Sequence, residues 1–314
     1  MNVGPNTPMP EDGVIQIGFD RYLLPSTVTR QSMVIVDANH QPLPASLSPV
    51  VVYDPVARTV TLAPPTTPWL TKGQSYTLIL GIPQGDSDSG GVRAIDGATL
   101  AEDQTRIIGF FVGEPNGVGI GEPTIDLCRD VLPIFVAKCS APSCHGSSQA
   151  AAASLVLDSS SGIEFTARGR VAQGSNTGAL FGTPTPPGRL FGIDMPIIDP
   201  GNPGNSWLQY KVEIANEPPN PLPAPRVTCP GAPTTAAPAP YEPLVSTPHA
   251  PSEAERTVLD NYVLGQVMPY PTLQPLSSYG DQPLTFEERE RIRLWISQLR
   301  SGQPLPECGL CQEQ

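Results

Sequence analysis

Charge is scarce in this chain: Asp, Glu, Lys and Arg together supply 15% of its 314 residues, against roughly 25% in an average soluble domain. What charge there is leans acidic, 18 basic against 30 acidic residues for a net −12. That balance opposes binding to phosphate backbones or anionic lipid and excludes a nucleic-acid partner. Long apolar runs are missing too. No segment approaches the ~20 continuous apolar residues of a membrane-crossing helix, and the opening MNVGPNTPMPEDG lacks the basic and apolar regions of a secretory leader. A leader or a lipidated cysteine ahead of this sequence is compatible with it, so anchoring through such an N-terminal signal stays open. Histidine is limited to three residues, and the first cysteine is Cys128. Against these shortages stand 40 Pro and 29 Gly, which favour loops and strands over long helices. The length corresponds to about two ordinary domains.

Residues 1–115 read as an all-β domain. Short runs rich in β-branched and aromatic residues cover Val14 to Leu24, Met33 to Asp37, Pro49 to Tyr53, Thr59 to Leu62, Ser75 to Leu80 and Thr105 to Val112. Turn signals at Asp37-Ala-Asn39, Asp54-Pro55, Pro64 to Pro68 and Gly85 to Gly91 separate them. Strands at this spacing predict a β-sandwich. Phe19-Asp20-Arg21, then Leu23 to Val28, Thr59-Val-Thr-Leu62 and Lys72-Gly73 to Leu80 resemble bacterial Ig-like modules of the SbsA type. The resemblance implies a spacer or positioning domain without chemistry of its own. His40, in a turn, reads as plain surface.

The sharpest chemical signal is Cys139-Ser-Ala-Pro-Ser-Cys144-His145-Gly146. Attachment of a c-type haem needs two thiols to add to the porphyrin vinyl groups and a His directly after the second thiol to reach the iron. The usual spacing leaves two residues between the thiols; here there are four, a rarer variant. Two plainer readings compete. A closed zinc site would need Cys139, Cys144, His145 and a distant cysteine, and a simple disulfide would leave His145 on the surface.

Helical signals flank the motif. Thr124 or Asp126 can cap a helix whose stripe of Leu127, Val131, Ile134 and Phe135 runs into Cys139, with Pro133 tolerated only in a first turn. Near the other end Thr285 and Glu288 form a capping box ahead of Ile292, Trp295, Ile296 and Leu299. A further cap at Ser252, with Glu255, precedes Ala254, Val258, Leu259 and Tyr262, read as a buried face. The segment Val131 to Gly146, the phrase Asp199-Pro-Gly-Asn-Pro-Gly-Asn-Ser206, the Gln266-Val-Met268-Pro269 turn and Pro283 to Ile296 resemble the single-haem cytochrome c-like domains of secreted myxobacterial and planctomycete proteins. The expected architecture is therefore an Ig-like sandwich followed, over 116–314, by a mainly α cytochrome c-like domain with long proline-rich loops.

In that domain His145 is the expected proximal ligand. Met268 stands where the resembling domains place their axial methionine; Met195 and His249 are the alternatives. A proline-rich insertion at about 216–251 admits no regular element and either wraps the haem edge or forms a rigid surface loop. Cys229, in its middle, reads as a tether to the domain body. Cys308 and Cys311 either pair with each other or one reaches Cys128; the sequence does not choose, and a redox role for Cys308-Gly-Leu-Cys311 lacks any thioredoxin-like βαβ context. Disulfides point to a periplasmic or cell-surface location.

The function expected from these residues is single-electron transfer by one covalently attached haem c with His145 and Met268 as iron ligands. The expected partner is a redox protein with a basic docking face, steered by the acidic surface. The competing classes are an open-site haem protein that senses a small ligand or reduces peroxide, and a structural or adhesive surface protein.

Overall fold

The computed structural model describes the chain apart from residues 1, 3, 5–7, 86–89, 102–105, 114–121, 142, 149, 173–190, 192–193, 226, 246–250, 264–266, 270–277 and 314. The chain divides into two compact units. One comprises Met1–Gly121 with Gly182–Phe191 and Glu242–Pro248; the other comprises Glu122–Phe181, Gly192–Tyr241 and His249–Gln314.

In the first unit the β-branched runs become strands β1 (Met9–Pro10), β2 (Ile15–Gly18), β3 (Met33–Val36), β4 (Val50–Asp54), β5 (Thr59–Ala63), β6 (Ser75–Leu80) and β7 (Ile107–Gly113). They assemble as a four-stranded sheet in the order β1-β7-β6-β3 and a three-stranded sheet in the order β2-β5-β4. Alternation decides the inward face: Tyr76, Leu78 and Leu80 of β6 are buried while the residues between them are less so. The register sets Leu78 opposite Ile108.

The second unit holds α1 (Leu132–Cys139), α2 (Ser160–Thr166), α3 (Trp207–Glu213), α4 (Glu253–Tyr262) and α5 (Phe286–Gln298), with a ribbon of β8 (Val227–Thr228) and β9 (Gln312–Glu313). Asp126 caps the wide π turn Leu127–Val131 by accepting from the Arg129 N–H at 2.9 Å. Pro133 is the second residue of α1 and follows directly on the π turn. The capping box at Thr285 and Glu288 forms in full. Ser252 caps α4, whose buried residues are Leu259 and Tyr262, whereas Ala254 is exposed. Val131, Leu132 and Phe135 share a core with Leu208 and Val212 of α3 and with Ile292, Trp295 and Ile296 of α5. Phe135 meets Trp295 edge-on at 6.2 Å between ring centres, an orientation the ring quadrupoles favour.

This architecture overturns the expected fold class. The strands do not build the antiparallel Ig-type pair of sheets. β1 joins β7 in parallel, and the long strand expected over Val14 to Leu24 ends at Gly18, leaving Leu23 only an isolated bridge to Ala94. Nor is the second unit mainly helical. Its described α-helices run from seven to thirteen residues, because turns and prolines cut the apolar periodicity before longer helices can propagate. The molecule is a mixed α and β protein of short elements.

The open cysteine question is resolved by two bridges, Cys128–Cys308 and Cys229–Cys311. Cys229 thus ties the proline-rich loop to the C-terminal tail. The loop is not wholly irregular, since β8 lies within it and pairs with β9. Two disulfides fit an oxidising compartment. Among the described residues no helix is long and apolar enough to cross a membrane. Because the first bridge spans 180 residues, replacing Cys128 and Cys308 together by Ser is expected to lower unfolding stability by about 2–5 kcal/mol. Urea titration of the two proteins checks this; equal midpoints would show that the bridge constrains nothing.

Candidate functional site

The site grows from the C-terminal end of α1, which delivers Cys139. The chain then folds back at once: the His145 N–H donates to the Cys139 carbonyl at 2.9 Å, and the Cys144 N–H to that of Ala141 at 2.8 Å. This return requires a glycine. A Cβ on Gly146 would stand 2.5 Å from the Ser140 carbonyl oxygen, inside any allowed contact. The next segment closes over the imidazole. Cys144 accepts from the Ala152 N–H at 2.6 Å and His145 from the Leu157 N–H at 2.8 Å, while Asp158 accepts from the N–H and hydroxyl of Ser147.

His145 Nδ1 lies 3.2 Å from both the Ala152 and the Leu155 carbonyl oxygens. Two carbonyls can only accept, so Nδ1 carries the proton and Nε2 keeps its lone pair. Burial pushes the His145 pKa down, and the same two carbonyls offset part of that shift. The ring is thus a neutral, oriented imidazole with one nitrogen available as a ligand.

Cys139 and Cys144 are both free thiols, in a protein whose other four cysteines are paired. This departs from the simple disulfide reading. Burial pushes the Cys139 thiol up to about 12, so at neutral pH it is protonated. Among the described residues no three His, Cys, Asp or Glu side chains converge as a metal cluster.

The structure brings Cys139, Cys144 and His145 into one loop. Met268 is half-buried, and no hydrogen bond or ring contact joins it to them. Met195 is buried, its carbonyl accepting from the Ala172 N–H at 3.0 Å. His249 lies outside the described residues.

Several residues that hold this site escaped the sequence reading. Lys138, directly before Cys139, is buried; its ammonium donates to Glu288 and to the Pro283 carbonyl, each at 3.0 Å, and sits 4.1 Å from the centre of the Tyr279 ring. The Tyr279 hydroxyl donates to the same Glu288. Burial, with the adjacent Glu288 carboxylate next in weight, raises the Tyr279 pKa, so the phenol stays protonated. Gly280 sits so close to α1 that a Cβ there would stand 2.6 Å from the Ala137 carbonyl oxygen. The α1 end carrying Cys139 is therefore bolted to the start of α5. The available signal was a lysine interrupting an apolar helix, three residues after Phe135.

Beside this bolt the proline-rich loop and α1 line an open cleft of about 440 Å³, whose walls include Pro133, Ile134, Ala137, Leu222 and Pro225. The loop packs on α1. Compared with known proteins, the chain matches no family model, no curated protein and no solved structure.

Proposed function

We propose that this chain is an extracytoplasmic c-type cytochrome, periplasmic or displayed at the cell surface, that passes single electrons to a partner protein. The observation that carries the reading is the tautomer lock on His145, placed between backbone carbonyls and directly after one of two unpaired thiols. The donor set fits the group: two thiols for thioether bonds, an imidazole with a free Nε2, and thioether sulfurs elsewhere in the unit. A bound haem c supplies one-electron chemistry between ferric and ferrous iron.

The residues divide the remaining work. Cys139 and Cys144 would anchor the macrocycle; His145 would present Nε2 to the iron, oriented by Ala152 and Leu155. Met268 would supply a second ligand to the iron, and a thioether there would raise the potential and close the site to oxygen and peroxide.

Production in a secretory host able to attach c-type haem tests the reading. The expected product keeps its haem through denaturation and shows a low-spin spectrum when oxidised and reduced. Met268→Ala is expected to convert that spectrum to a high-spin form. An unchanged spectrum would move the sixth ligand to Met195 or His249, high-spin wild-type protein would favour ligand sensing or peroxide chemistry, and haem-free protein would leave a structural or adhesive role.

A further inference from the structure

One route leads from the imidazole to the surface. The Leu155 carbonyl accepts from His145 Nδ1 at 3.2 Å. The next residue, Val156, donates its N–H to Thr166 Oγ1 at 2.9 Å, and the Thr166 hydroxyl donates on to the Gly162 carbonyl at 2.7 Å. Contact here is tight, since a Cβ on Gly162 would stand 2.4 Å from a Val156 methyl carbon. Thr166 ends α2, and its neighbour Phe165 is 70% exposed. The proximal imidazole is thus joined to an aromatic ring at the surface by two hydrogen bonds and a few covalent links.

The surroundings of that ring are cationic in a protein of net charge −12. Arg170 Nε donates to the Phe165 carbonyl at 3.1 Å, and its side chain is exposed. Arg168 lies beneath, its guanidinium on Glu164 at 2.8 Å and on the Arg300 carbonyl at 2.6 Å, which sets the exposed Arg300 beside it. Val171, the next residue after Arg170, is 51% exposed. Arg168 is neutralised by Glu164 with only 8% of its side chain exposed, and Glu164 also accepts the Leu305 N–H, so the cations presented to solvent here are Arg170 and Arg300.

We infer that the exposed Phe165 and Val171, flanked by the exposed Arg170 and Arg300, form the docking face for the redox partner, and that the partner is an acidic protein with an apolar centre to its contact patch. The inference rests on the cytochrome reading, and it reverses the charge that the overall acidity led us to expect of the partner. An apolar centre within a charged rim is the usual division of labour at a transient interface: the rim steers encounter and the centre holds it. A cationic island also gives an acidic chain a unique orientation for its partner.

The test uses the haem-loaded full chain and two probes, a plastocyanin with an acidic patch and a basic mitochondrial-type cytochrome c, in stopped-flow electron transfer at low and high salt. The acidic probe is expected to react faster with the wild type, with a rate that falls as salt rises. Arg170→Glu with Arg300→Glu should cut that rate about tenfold or more at low salt and invert its salt dependence, while the haem spectrum stays unchanged. Phe165→Ser should lower the rate severalfold without altering the salt slope. Preference for the basic probe, or rates indifferent to the arginine reversals, overturns the inference while leaving the haem reading intact. If the chain carries no covalent haem, the cytochrome reading fails. The surface is then judged by whether the acidic probe's NMR resonances shift with wild type and not with the double reversal.

Discussion

Replacing Cys139 and Cys144 together by Ser should give a folded protein from which all haem is removed by denaturation, where the wild type retains it. The expected effect is all or none. Thioether bonds survive unfolding, whereas the iron ligation proposed for His145 and a methionine would depend on the fold that holds both ligands. Folding itself should persist, because neither thiol takes part in the two structural bridges. The loop geometry around them comes from backbone hydrogen bonds and from Gly146, not from sulfur. Each single variant should keep one thioether and shift the reduced absorption maximum. Haem extraction followed by absorption spectroscopy decides the matter. Equal release of haem from wild type and double variant would mean the cysteines form no bond to it, and the motif would lose its meaning.

The legible part of this molecule was local. The strands from Met33 to Gly113 lie close to where β-branched runs and turn residues put them, because a strand's alternation is written in adjacent residues. Thr285 and Glu288 announced the start of α5 for the same reason, since both halves of a capping box lie within one turn. The sheet partners were not legible. Whether β7 pairs with β1 in parallel or with another edge depends on contacts a hundred residues apart. Helices α2 and α3 were missed because seven residues give less than two turns of periodicity. Their ends are set by tertiary contacts, such as the Trp207 N–H bonded to the Pro196 carbonyl. At the site, Cys139, Cys144 and His145 stood out by spacing. The two carbonyls that fix the imidazole did not, since every residue has one. The disulfide partners were equally hidden, as four cysteines permit three pairings.

The same limit concealed the charges inside the second unit, and they carry the other large expected effect. Reading charge as surface would send all of Phe286-Glu-Glu-Arg-Glu-Arg-Ile-Arg to solvent. Instead Arg289, with 1% of its side chain exposed, pairs at 2.9 Å with Glu213 of α3, which is 0% exposed. Arg293 is likewise held by Glu290 at 2.8 Å and by Glu122. Arg289→Met should lower unfolding stability by about 3–5 kcal/mol, because it strands a carboxylate where water cannot reach it. The Glu217 carboxylate, 3.7 Å from Arg289 and bonded to the Phe286 N–H, adds a second negative charge to the vacated position. Combining Arg289→Met with Glu213→Gln should recover much of the loss, since the cost lies in the orphaned charge and not in the absence of attraction. Urea unfolding of the wild type and the two variants separates these terms. A single variant as stable as the wild type would show that water reaches the pair and that it contributes no more than a surface bridge. The pair matters to the site because α5 is the shared wall. It binds α3 through Arg289, packs Trp295 on Phe135, and through Glu288 holds Lys138 beside Cys139. Loosening α5 therefore reaches the Cys139 end of α1 without touching any residue of the motif.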